Sequence, residues 1–132
     1  MTAQGMNHFT ILAEDLGATV TFYTEFLGLK DGYRPDLGFP GAWMYVQAPT
    51  DHTGQAVLHI IAGRPMPNPR SGVIDHMAYT AKGMAATVAK LEAHGVKYVK
   101  RKQAGHAGTW QVFFFDPNGA RIELDFAAAE GD

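Results

Sequence analysis

The chain has 132 residues, 46% of them hydrophobic and 18% charged, with a formal net charge of -2, six histidines and no cysteine. This is the profile of one folded domain, not a disordered chain, and without a basic block it argues against a nucleic-acid partner. The missing cysteines exclude disulfides, thiolate catalysis, Fe–S clusters and Cys-type zinc sites, so any transition metal must be held by His and carboxylates.

In chain order, Met6–Leu12 reads as a short strand and Leu16–Leu27 as a helix. Asp15 is placed as its N-cap and Gly28 as its terminating glycine. Val20, Tyr23, Phe26 and Leu27 share the helix's apolar face. Strand-like runs follow at Trp43–Gln47 and Val57–Ile61. The segment Ala62–Gly72 holds three prolines and two glycines and reads as a linker. Beyond it come a strand at Ile74–Thr80 and a helix at about Gly83–His94, with Met84, Val88 and Leu91 inward and Gly95 at its end. Strands at Tyr98–Lys100, Trp110–Phe115 and Ala120–Phe126 complete the chain, the last two joined by an Asp116-Pro117-Asn118-Gly119 turn. No apolar run reaches the ~20 residues of a membrane span, and the N-terminus lacks a signal pattern, so a cytoplasmic protein is expected.

The two halves repeat. Asn7-His8-Phe9-Thr10-Ile11 corresponds to Asp75-His76-Met77-Ala78-Tyr79, Ala18-Thr19-Val20 to Ala86-Thr87-Val88, and Gly28-Leu29-Lys30 to Gly95-Val96-Lys97. Val57–Ile61 corresponds to Arg121–Asp125. The chain therefore reads as a single domain, 1–132, made of module 6–61 and module 73–126 joined by linker 62–72. Each module is βαβββ. The expected class is α+β: a cupped, mostly antiparallel eight-stranded sheet with outer helices.

Alternation along the strands then selects side chains. If Phe9, Ile11, Leu58, Ile60, Met77, Tyr79, Ile122, Leu124 and Phe126 pack under the helices, then His8, His59, His76 and Glu123 share the opposite face. The repeat pairs His8 with His76 and His59 with Glu123. Two or three imidazoles with one carboxylate suit Fe, Mn, Ni, Co or Zn as a divalent ion, with positions left for substrate. The same parity brings Trp43 and Tyr45, or Phe113 and Phe115, toward that face as apolar substrate contacts. His59 is either a ligand or a general base. Arg34 and Arg70, in Gly/Pro-rich loops, are candidate carboxylate clamps.

The chain resembles the vicinal oxygen chelate superfamily, which contains glyoxalase I, bleomycin-resistance proteins and extradiol dioxygenases. The resemblance is carried by Asn7–Ile11, Phe22-Tyr23-Thr24-Glu25-Phe26-Leu27-Gly28-Leu29, Asp75-His76-Met77 and Phe114–Glu123. It implies a glyoxalase-like domain, usually a homodimer, with family metal positions on His8, His76 and Glu123. The fourth family position, Glu in bacterial glyoxalase I and often Gln elsewhere, falls on His59. The extradiol signature places its upstream His on His106 and replaces its Tyr by Phe113.

The expected function is a divalent-metal-dependent enzyme that binds a small substrate through two adjacent oxygens, with lyase or isomerase chemistry through a metal-stabilised enediolate. The alternatives are extradiol-like ring cleavage, with His106 taking part, and metal-free binding of the bleomycin-resistance type. Expected partners are a small-molecule substrate and a second copy of the chain, with no nucleic acid and no membrane. The site would lie either within one chain or between two.

Overall fold

A computed structural model describes residues 1–2, 4–48, 54–72, 74–103 and 108–131. The chain divides into two compact units, Met1–Met66 and Pro67–Asp132. The division falls inside the Pro/Gly segment, where no strand or helix crosses it.

The first unit runs β1 (Phe9–Ala13), α1 (Leu16–Leu27), β2 (Lys30–Gly32), β3 (Gly41–Tyr45) and β4 (Ala56–Ala62). The second runs β5 (Met77–Thr80), α2 (Met84–Ala93), β6 (Tyr98–Lys102), β7 (Trp110–Phe115) and β8 (Arg121–Phe126), and then a 3-10 turn at Ala128–Gly131. Each unit forms one four-stranded sheet, in the orders β1-β4-β3-β2 and β5-β8-β7-β6. In both, the first strand pairs with the last in parallel and the other two pairings are antiparallel. The expected α+β class and eight mostly antiparallel strands are present, as two sheets of four.

Local chemistry explains the helices. Asp15 Oδ1 accepts from the Ala18 N–H at 2.9 Å and caps α1. Gly28, at φ 68°, and Gly95, at φ 66°, take the left-handed turn that ends each helix. The N–H of Leu29 then reaches the Tyr23 carbonyl, and that of Val96 the Leu91 carbonyl. α1 buries Thr19 more deeply than the apolar Val20, because the Thr19 hydroxyl is satisfied by the Asp15 carbonyl at 2.7 Å. The start of α2 carries no side-chain cap of its own: Glu130 Oε1 accepts from the Gly83 and Met84 N–H groups at 2.8 and 2.9 Å.

The cores follow strand parity. Along β4, residues 56, 58, 60 and 62 are buried and the three between them half-buried. Along β8, Ile122, Leu124 and Phe126 are sealed. Burial of each large side chain contributes about 1.5–3 kcal/mol. α1 lies over β2, β3 and β4.

Three expectations need correction. The leading strands begin at Phe9 and Met77, so His8 and His76 stand one residue before them. A short strand, β2, went unrecognised because its Lys-Asp-Gly has no strand-like side chain except by pairing with Tyr45, Met44 and Trp43. Finally, a bulge between Met44 and Tyr45 sets Tyr45 opposite Ala56, on the Leu58 side. Tyr45 is therefore core, with its hydroxyl donating to the Tyr33 carbonyl at 2.5 Å, and leaves the face that parity assigned to it as a substrate contact.

Candidate metal and substrate site

In the first unit, the β1–β4 register sets Thr10 beside His59, and β3–β4 sets Trp43 opposite it. His8, two residues before Thr10, therefore shares the His59 face. The three rings form one stack. His8 and His59 lie 3.7 Å apart and 18° from parallel; Trp43 and His59 lie 4.2 Å apart at 8°. The Asn7 side-chain oxygen meets His8 Nδ1 at 2.6 Å, and Gln55 Nε2 donates to that same oxygen at 3.0 Å. Among the described residues His59 has no such partner. Burial, then the charges of His8 and Arg34, push its imidazole below the ordinary histidine range, which favours the neutral form.

The second unit carries the other pair. The Asp116 turn fixes the β7–β8 register: Asp116 Oδ1 accepts from the Asn118 and Ala120 N–H groups, both at 2.8 Å. That register sets Glu123 opposite Phe113 and beside Ala78. His76 Nε2 lies 2.7 Å from Glu123 Oε2, while His76 Nδ1 lies 2.7 Å from Asp75 Oδ2. Arg121 Nη1 donates to Asp75 Oδ2 at 2.8 Å. The hydrogen bond from His76, with help from Arg121, holds the Asp75 carboxyl below the usual carboxylate range. Glu123 is almost fully buried, and its Oε1 accepts from Gln111 Nε2. Asp125, two residues along the same face, is pushed up to about 6 by burial and then by its neighbour Glu123.

Phe113 is the hub of this face. Its ring meets His76 edge-on at 5.8 Å and carries the guanidinium groups of Arg121 at 4.6 Å and Arg101 at 4.9 Å. Phe115, by contrast, is exposed.

The structure thus sets His8 beside His59 and His76 beside Glu123, with Trp43 on the first pair and Phe113 on the second. Among the described residues no three His, Asp or Glu gather within reach of one ion. His106 lies outside the described residues. Arg34 donates to the Phe39 carbonyl at 3.0 Å and lies over the Phe39 ring. Arg70 reaches the Asn118 carbonyl at 3.4 Å. Sequence reading missed Asn7 and Asp75 as partners of the histidines, although each directly precedes one. It also missed Gln111, which no local motif could have shown, and it read Arg101 with Lys97, Lys100 and Lys102 as a basic cluster better suited to a solvated strand edge than to an anionic substrate tail. No helix among the described residues is long and apolar enough to cross a membrane.

Comparison with known proteins agrees with this architecture. Over 125 residues the chain is 29% identical to Glyoxylase I 4 of Arabidopsis thaliana, covering 90% of this chain and 68% of that protein. It is 25% identical to YaeR of Escherichia coli, covering 90% and 93% of the two chains. The fosfomycin resistance protein FosX of Listeria monocytogenes superposes with a TM-score of 0.71 at 17% identity, over 98% of both chains. A FosX variant solved with Mn(II) and a dihydroxypropylphosphonic acid gives 0.72 at 16% identity, over 98% of this chain and 96% of that one. The model of the Glyoxalase/Bleomycin resistance protein/Dioxygenase superfamily matches residues 5–124, and the chain belongs to that superfamily.

Proposed function

We propose that the chain is a divalent-metal-dependent enzyme acting on a small substrate that carries two adjacent oxygens, with lyase or isomerase chemistry. One observation carries this reading. At equivalent places in the two modules a histidine is held at Nδ1 by the side chain before it, Asn7 for His8 and Asp75 for His76. Such a partner on the far ring nitrogen is the habitual support of a metal-binding imidazole, because it fixes the tautomer and leaves Nε2 as the donor. His76 Nε2 is already beside Glu123 Oε2. His8, His76 and Glu123 then make a two-His, one-carboxylate set suited to Fe, Mn, Ni, Co or Zn. Held there, such an ion would supply Lewis-acid stabilisation of negative charge on the substrate oxygens.

His59 has the other role. It lacks an Nδ1 partner among the described residues, and its surroundings favour the neutral imidazole. Stacking between His8 and Trp43 fixes its ring plane. A neutral, oriented imidazole takes a proton from the substrate carbon and returns it to the neighbouring one. Trp43 and Phe113 supply apolar walls that exclude water around that transfer.

Among the described residues no three such donors gather. We assign the complete set to a homodimer, the usual assembly of this superfamily, in which the first module of one chain meets the second module of its partner. Mixing tests this. His8→Ala and Glu123→Ala variants each lose tight Mn(II) binding alone. Refolded together they regain it, since mixed dimers keep one undamaged donor set. Wild type without metal uptake sinks the metal reading; variants that never complement sink the shared site. In the metal-loaded dimer, His59→Gln keeps Mn(II) and loses turnover by about 100-fold or more in a screen of hemithioacetals and catechols.

A further inference from the structure

We infer that Arg101 is a specificity residue that selects substrates bearing a carboxylate or similar oxyanion in addition to the two metal-binding oxygens. The inference rests on the metal reading above and names the substrate class for that same face. Arg101 extends from β6 opposite Gln111. Its Nε donates to Gln111 Oε1 at 3.0 Å, and its guanidinium lies over the Phe113 ring at 4.9 Å. Gln111 is itself buried and held to Glu123.

A guanidinium has two donor edges, one formed by Nε with an Nη and the other by the two Nη groups. Anchoring Nε on a neutral amide uses the first edge and leaves the second. Arg101 has no carboxylate partner among the described residues and is exposed. Arg121 differs: its Nη1 is spent on Asp75. Its place over Phe113, with Nε tied to Gln111, also restricts the Arg101 side chain before any ligand arrives, which lowers the entropic cost of forming a bidentate pair. Because His76 meets that same ring, an anion on Arg101 lies within the length of a small molecule from His76.

Catechol and protocatechuate test this, since they differ by one carboxylate across the ring from the two oxygens. Both are titrated anaerobically into wild type, Arg101→Gln and Arg101→Lys, with and without Mn(II). The expected result is that Mn(II)-loaded wild type binds protocatechuate about tenfold more tightly than catechol. Arg101→Gln brings the ratio close to one, and Arg101→Lys retains part of it, as a point charge without the fork. No preference in wild type, or a preference that survives Arg101→Gln, overturns the inference. If wild type takes up no Mn(II), the metal reading fails separately, and the metal-free ratio still decides the fork.

Discussion

The two modules share topology, strand order and helix-terminating turns, yet they treat their paired side chains differently. In the first module the pair is imidazole on imidazole, stacked under an indole and supported by the amides of Asn7 and Gln55. In the second it is imidazole against carboxylate, inside a chain of charged and amide groups running from Arg121 through Asp75, His76, Glu123 and Gln111 to Arg101. The fold supplies the positions and the side chains set the chemistry. The first module fixes rings by flat contact and keeps one imidazole neutral. The second fixes donors by directed hydrogen bonds and concentrates charge.

The largest expected effect probes the support of the two histidines. Asp75→Ala should lower Mn(II) affinity by about 100-fold and Asn7→Ala by about tenfold, because a carboxylate raises imidazole basicity more than an amide does. Isothermal titration reads both, and equal losses would erase the distinction between the modules. Next comes Asp116→Ala, which strands two turn N–H groups and loosens the register that presents Glu123. Denaturant unfolding should show a loss of about 2 kcal/mol. Glu130→Ala removes the cap of α2 and Asp15→Ala that of α1; each should cost about 1 kcal/mol, read in the same way. The smallest effect is spectroscopic. Burial pushes the Tyr79 phenol up to about 12, in the place that Ile11 takes in the first module. The fold favours the neutral phenol, so its contribution is complete below the ordinary phenol value near 10 and is lost as pH rises through about 12. Phenolate absorbance should show a late-titrating component that Tyr79→Phe diminishes, Tyr45 and Tyr98 being pushed up as well.

Much of this was legible in the sequence. The period-2 alternation of Leu58 with His59 and of Ile122 with Glu123 fixed which residues share a face, since a strand leaves side chains only two directions. The repeat then paired those faces. What failed has physical reasons. Tyr45 obeyed parity until a bulge, and nothing local marks a bulge in Trp-Met-Tyr. Gln111 and Arg101 meet Glu123 and Phe113 only through the alignment of three strands, which no single segment encodes. His8 and His76 read as strand residues in sequence because a polar residue one step ahead of a strand keeps the alternation going without the ladder.

The caps of the two helices differ in one further respect. α1 is closed by Asp15, its immediate neighbour, as soon as the first turn exists. α2 is closed by Glu130, 47 residues beyond Gly83. The cap of α1 needs only a sequence neighbour, whereas the start of α2 needs a contact with a residue beyond β8. Its first turn should therefore be the last helical segment to gain protection in pulse-labelled hydrogen exchange. The residues after β8 are in this sense the closing element of the second module.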